Sequence, residues 1–137
     1  MKLLKTSVKI SSNIDKVWEK WTAPNDIKQW NLPSEEWTCP RAENDAVTGG
    51  VFFYRMERID GKDGFDYSGE YIDVKPKKSL EILLDDGRKS WINFETTDGG
   101  VVLTETFEGV DTIPDDVQEE FCKEVLEKFK TYVESEN

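Results

Sequence analysis

The sequence predicts an α+β fold, a curved antiparallel sheet packed against one long C-terminal helix. Three observations predict it. Val117, Phe121, Val125, Phe129 and Val133 recur every fourth residue through Asp115–Glu134. From Gly50 onward, five runs of alternating apolar and polar residues follow one another. The turns between those runs are too short for parallel crossovers, so consecutive strands are antiparallel neighbours.

The C-terminal stretch is the clearest element. Cys122, Leu126 and Tyr132 flank its apolar row, and Glu119, Glu120, Lys123, Glu124, Glu127 and Lys130 take the remaining circumference. That pattern makes an amphipathic helix of about five turns at 3.6 residues per turn. Thr112 and Pro114 mark its start, and Asp115 and Asp116 place negative charge in its first turn, where the helix dipole favours it. Such a helix must bury its aromatic face against something, and most of the upstream chain reads as strand.

At the other end, Leu3–Ile10 alternates as a first strand. Ser12-Asn13-Ile14-Asp15 resembles a capping box opening a helix that carries Ile14, Val17, Trp18 and Trp21. Pro24 ends that helix and opens a second short one with Ile27 and Trp30 on its apolar face. Asn31–Thr48, with Pro33, Trp37, Cys39 and Pro40, is irregular and predicts a long loop with a short strand near Trp37–Arg41.

The five later strands are Val51–Arg58, Phe65–Val74, Leu80–Leu84, Arg88–Thr96 and Val101–Glu108. Asp60-Gly61, Lys75-Pro76, Asp86-Gly87 and Asp98-Gly99 lie in the turns between them. A sheet curved around a long helix leaves a cavity on its concave side.

The 137 residues predict one domain, large enough for a substantial core. Sixteen aromatic residues, five of them tryptophan, supply its bulk. A net charge of −11 disfavours nucleic acid and anionic membrane surfaces. No histidine is present, which removes the usual zinc ligand and any Cys–His nucleophile. Cys39 and Cys122 form no CxxC pair. No signal peptide or bilayer-length apolar run is visible, so the expected compartment is the cytoplasm with both thiols reduced.

One ordered series of motifs runs through the chain. It begins with Val17-Trp18-Glu19-Lys20-Trp21-Thr22-Ala23-Pro24, Ile27 and Trp30. Trp37-Thr38-Cys39-Pro40, Ala42-Glu43-Asn44-Asp45, Gly49-Gly50-Val51-Phe52 and Arg55-Met56 follow. Asp60-Gly61, Gly64-Phe65-Asp66-Tyr67, Gly69-Glu70-Tyr71, Asp86-Gly87-Arg88 and Thr104-Glu105-Thr106-Phe107 complete it. The series resembles the START-like (SRPBCC) superfamily and, within it, the family named after the activator of heat-shock-protein-90 ATPase. The resemblance implies the helix-grip fold and a pocket for a lipophilic molecule. One departure stands out: Phe121-Cys122 occupies the place where the last helix usually carries Gly-Trp.

The candidate pocket lining is Phe52, Tyr54, Met56, Tyr67, Tyr71, Ile92, Phe94, Leu103 and Phe107 from the strands, with Phe121, Val125 and Phe129 from the helix. The same residues also read as ordinary core packing. Glu105 shares the inward phase of Leu103 and Phe107. A buried carboxyl needs a partner or becomes neutral. A turn at Asp98-Gly99 sets Glu105 opposite Ile92, with Arg88, Tyr54, Tyr67 and Tyr71 as candidate partners. Its role is either ligand contact, acid–base chemistry or a satisfied core acid.

Trp18, Trp21 and Trp30 read as packing residues. Trp37 and Trp91 fall outside the inward pattern and are candidate contact residues. Asp60, Asp63 and Asp66 lack the glycine and glutamate of a calcium loop and read as turn residues.

Three functions follow as expectations. The first is non-enzymatic binding of a small hydrophobic or amphipathic molecule, a lipid or an aromatic polyketide-like compound, without a cofactor or metal. The second, from the resemblance, is contact with a chaperone, although the chaperone-activating members carry an extra N-terminal domain ahead of this module. The third is a cyclase or hydrolase in which Glu105, a tyrosine or another carboxylate handles protons.

Overall fold

Consecutive hairpins build most of the molecule. The computed structural model describes residues 2–32 and 34–135, so Pro33 of the predicted loop lies outside the described residues. The elements are β1 (Leu3–Ile10), α1 (Ile14–Thr22), α2 (Pro24–Trp30), β2 (Trp37–Asn44), β3 (Val51–Arg58), β4 (Gly64–Lys75), β5 (Ser79–Leu84), β6 (Lys89–Thr97), β7 (Gly100–Glu108) and α3 (Asp115–Ser135). The sheet is antiparallel throughout, in the order β1-β7-β6-β5-β4-β3-β2. It curls around α3 as a half-barrel, the helix-grip fold. The predicted α+β class and element order match it.

Turn chemistry explains the hairpins. Gly99 sits at φ 82° between β6 and β7, a left-handed conformation that glycine adopts without a Cβ clash. At the β4–β5 turn the left-handed position is instead Lys77, at φ 66°. Its ammonium pairs with Asp15 of α1 at 2.7 Å, tying that turn to the first helix. The residue capping α1 is Asn13, not Ser12: its side chain accepts from the Lys16 amide at 2.8 Å.

The short strand expected near Trp37–Arg41, within the loop over residues 31–48, extends to Asn44 as the full strand β2. A register shift between Thr38 and Arg41, beside Pro40, breaks the alternation that would have revealed it. Arg88 lies in the turn before β6 rather than in the strand.

The core gathers beneath the C-terminal half of α3. Trp21 and Trp30 stack with ring centroids 4.5 Å apart, and Phe129 meets both edge-on at 4.9 and 4.8 Å. Phe94 packs edge-on against Trp18 at 5.4 Å. Leu126, Phe129 and Val133 are fully enclosed. Lys20 pairs with Asp26 at 3.4 Å, and the Tyr132 hydroxyl donates to that same carboxylate at 2.5 Å, so α1, α2 and α3 are locked at one point.

The charged face of α3 has a second task. β1 is an edge strand, and its outward backbone groups belong to odd-numbered residues. The Lys5 and Ser11 amides donate to Glu119 (3.4 Å) and Glu134 (2.9 Å). The Ser7 carbonyl accepts from Lys123, and the Lys9 carbonyl accepts from Lys130 at 2.8 Å. Four side chains of the helix thus stand in for a missing neighbouring strand and cover an edge that could otherwise pair with another chain.

Candidate functional site

Between the sheet and the N-terminal half of α3 lies a cavity of about 500 Å³. β3 contributes Phe52, Tyr54 and Met56; β4 contributes Phe65, Tyr67 and Tyr71; β5 contributes Ile82 and Leu84. Ser90 and Ile92 come from β6, and Glu105 and Phe107 from β7. Val117, Gln118, Phe121, Cys122 and Val125 face it from the helix, and Trp21, Trp30 and Asn31 close the far end. Arg88, Val110 and Ile113 come from the connecting turns. Phe65, Ile113, Val117 and Phe121 are also exposed to solvent, so they form the mouth.

Strand alternation aims these side chains inward, and one glycine makes room for them. Gly69 of β4 pairs with Phe52 of β3, and a Cβ there would come within 3.1 Å of the Phe52 ring and 2.5 Å of the Leu83 carbonyl. The absence of that carbon lets the ring lie across β4.

Of the residues expected to line a pocket, Phe52, Tyr54, Met56, Tyr67, Tyr71, Ile92, Glu105, Phe107, Phe121 and Val125 do line the cavity. Phe94, Leu103 and Phe129 do not. They share the inward phase, but α1 and α2 cover that end of the sheet, and Trp18, Trp21 and Trp30 fill the space in front of Phe94 and Phe129.

Several lining residues escaped the sequence reading. Ile82 and Leu84 share the phase of Leu80, and Ser90 shares the phase of Ile92, so alternation could have found them. Gln118 carried no signal. Its amide holds the β7–α3 connection by accepting from the Val110 N–H (2.9 Å) and donating to the Val110 and Ile113 carbonyls (3.0 and 2.8 Å).

Glu105 lies opposite Ile92, as the hairpin geometry predicted. Its partners are neither Arg88 nor the tyrosines. The Ser90 hydroxyl donates to it at 3.3 Å, and the Cys122 thiol donates to it from the helix. Ser90 is diagonal to Glu105 on the neighbouring strand and needs no reach. Burial pushes the Glu105 carboxyl above its usual range despite these two donors. Burial, with Glu105 alongside, also pushes the Cys122 thiol up, so it stays protonated.

Arg88 is committed elsewhere: its Nε bonds to Asp86 at 2.8 Å and a terminal nitrogen to the Glu108 carbonyl at 3.3 Å. Tyr54 donates to Tyr71, and Tyr71 donates to Asn44 Oδ1 at 2.5 Å. Asn44 in turn donates to the Thr22 carbonyl at 2.7 Å. Burial raises the Tyr71 phenol to about 12.

The remaining candidates are structural in placement. Trp37 is half-buried, edge-on to Phe65 at 5.4 Å with the Arg58 guanidinium over its ring, and Trp91 is also half-buried. Asp60 accepts from the Lys62 amide at 2.9 Å and pairs with Arg58, and Asp66 pairs with Arg55 at 3.1 Å. Among the described residues, no group of His, Cys, Asp and Glu is arranged to hold a metal. Cys39 and Cys122 are free thiols. No helix among the described residues is long and apolar enough to cross a membrane.

Known structures place this architecture. The AHSA1-like protein of Aeromonas hydrophila is 32% identical and superimposes with a TM-score of 0.88, covering 97% of this chain and 94% of that one. A protein of Cytophaga hutchinsonii is 34% identical, with a TM-score of 0.84 and coverage of 97% and 92%. A protein of Chromobacterium violaceum shares the fold at 20% identity and a TM-score of 0.86, covering 98% and 99%. No curated protein matches the chain. Residues 11–134 match the family model described as Activator of Hsp90 ATPase homolog 1-like protein. With the match spanning nearly the whole helix-grip architecture, the chain belongs to that family, within the START-like superfamily.

Proposed function

We propose that this protein binds a small hydrophobic or amphipathic molecule between its sheet and the N-terminal half of α3. The carrying observation is the cavity itself: about 500 Å³, walled mainly by aromatic and aliphatic side chains, with a few polar groups at defined points. That size and composition suit a small-molecule site, for which about 300–1,000 Å³ is usual. Binding fits better than turnover. The chain has no histidine, the Cys122 thiol is held protonated, and burial disfavours an ionised Glu105 as a base.

The test is native mass spectrometry of freshly purified protein beside the Val125→Trp variant, with a neutral fluorescent reporter, N-phenyl-1-naphthylamine, titrated into both. An indole at position 125 occupies the space a guest would use. The expected outcome is reporter binding, and any co-purified non-covalent mass, in the parent but at least tenfold weaker in the variant. Equal binding by both proteins would remove this site.

The family match favours a second reading, contact with a heat-shock-protein-90 homologue. ATP-dependent retention of that chaperone on the immobilised protein, absent from a Phe121→Asp variant at the exposed mouth, would support it.

A further inference from the structure

The cavity lining can be sorted by which polar groups are already satisfied. Tyr54 and Tyr71 are spent on the relay to Asn44. The Asn31 amide lies 3.6 Å from Met56 Sδ, and Gln118 is spent on the β7–α3 connection. Arg88, the one cation of the lining among the described residues, is held by Asp86 and the Glu108 carbonyl. Tyr67 differs. Its ring is fixed edge-on against Phe52 and Tyr54, at 5.7 and 6.2 Å, yet its hydroxyl bonds to no protein group among the described residues. It is not sealed in the core either, because it borders the cavity. Across the cavity, Glu105 uses bonds from Ser90 and Cys122, while a carboxyl group offers more hydrogen-bonding positions than two.

We propose, resting on the binding reading above, that the guest carries one uncharged hydroxyl or carbonyl oxygen held by the Tyr67 hydroxyl, and that carboxylate-ended guests are disfavoured in a cavity that also holds Glu105. The geometry supplies one open polar docking point in an otherwise apolar enclosure, which suits a monofunctional amphipath. A neutral oxygen gives the Tyr67 hydroxyl the partner it lacks. An ionised end would be stripped of water in an enclosure that holds an acidic side chain, where the lining's Arg88 is already paired with Asp86. Burial keeps the Tyr67 phenol protonated, so it can donate to an oxygen acceptor.

The test displaces N-phenyl-1-naphthylamine from the full chain at neutral pH with decan-1-ol or with decanoate, using the parent and Tyr67→Phe. The expected result is that decan-1-ol competes at least about tenfold more tightly than decanoate. Tyr67→Phe should weaken decan-1-ol about tenfold more than it weakens the reporter, the effect of one lost hydrogen bond in a dry site. Retained reporter binding shows that the variant keeps its cavity. Equal or tighter binding of decanoate overturns the proposal, as does a Tyr67→Phe variant that binds decan-1-ol like the parent. If the reporter binds and neither competitor displaces it, the anchor is wrong while the cavity reading stands. If the reporter itself fails to bind, both fall.

Discussion

The two halves of α3 carry the same kind of apolar row and meet opposite fates. Leu126, Phe129 and Val133 in the C-terminal half are 0% exposed. Val117 and Phe121 in the N-terminal half are 52% and 49% exposed. The difference lies in what faces the helix. Opposite the C-terminal half, α1 and α2 supply Trp21 and Trp30, whose stacked rings fill the gap to the sheet. Opposite the N-terminal half no second layer is present among the described residues, and the cavity lies between helix and sheet. One half is therefore a scaffold, and the other forms the wall and mouth of the candidate site. Apolar periodicity marks a face that wants cover, and only the rest of the fold decides whether the cover arrives.

Truncating one phenylalanine in each half breaks or confirms this division. Phe129→Ala empties a ring-sized space between two tryptophan rings and should cost about 3–5 kcal/mol. Phe121→Ala removes a half-exposed ring at the mouth and should cost under about 1 kcal/mol. Urea unfolding midpoints of both variants measure this. Similar losses would mean that the helix is one uniform core element.

The same contrast shows which parts of the molecule could be read from sequence. Strands β3 to β7 were legible because their alternation is regular and their turns carry Asp-Gly or Lys-Pro. β2 was legible only as a short strand near Trp37–Arg41, because the shift between Thr38 and Arg41 destroys the period over its length. Phe94, Leu103 and Phe129 were placed in the lining because strand phase and helix spacing say which way a side chain points, not what it meets. Phe94 and Phe129 are masked from the cavity by tryptophans from an element far away in sequence. Glu105 was recognised as inward and correctly paired in register, yet its partners were missed. Ser90 and Cys122 are small, and neither carries the charge that draws attention to Arg88.

Glu105 sharpens the comparison from inside the open half. Burial raises its folded-state pKa above the unfolded value, so its protonated form is favoured in the native protein. The linked stability is fully present below the usual carboxyl range and declines as pH rises through the folded value. Glu105→Gln removes that titration. The stability of Glu105→Gln minus that of the parent should therefore grow as pH rises from the usual carboxyl range through the raised folded-state value. Urea midpoints taken at several pH values give the difference directly. A difference that is flat or falls with pH would mean that the cavity solvates the carboxylate well, and that its environment is less apolar than its lining implies.

The smallest effect concerns the edge of the sheet, where the two halves of α3 differ again. Glu134, near the C-terminal end, accepts from the Ser11 amide at 2.9 Å and is held by Lys130 at 2.6 Å. Glu119, near the N-terminal end, accepts from the Lys5 amide at the longer distance of 3.4 Å. If the C-terminal half is the anchored one, Glu134→Ala should cost about 0.5–1 kcal/mol and speed amide exchange at Ser11, while Glu119→Ala should barely change exchange at Lys5. The Lys130 bond and the Ser11 amide hold the Glu134 carboxyl below its usual range. Protection of Ser11 should therefore persist through neutral pH and fail as pH falls through that lowered value. Hydrogen exchange at those two amides reads the anchoring of each half separately. Equal sensitivity at both would mean that the helix grips β1 evenly along its length, and that the cavity end is no freer to move than the tryptophan end.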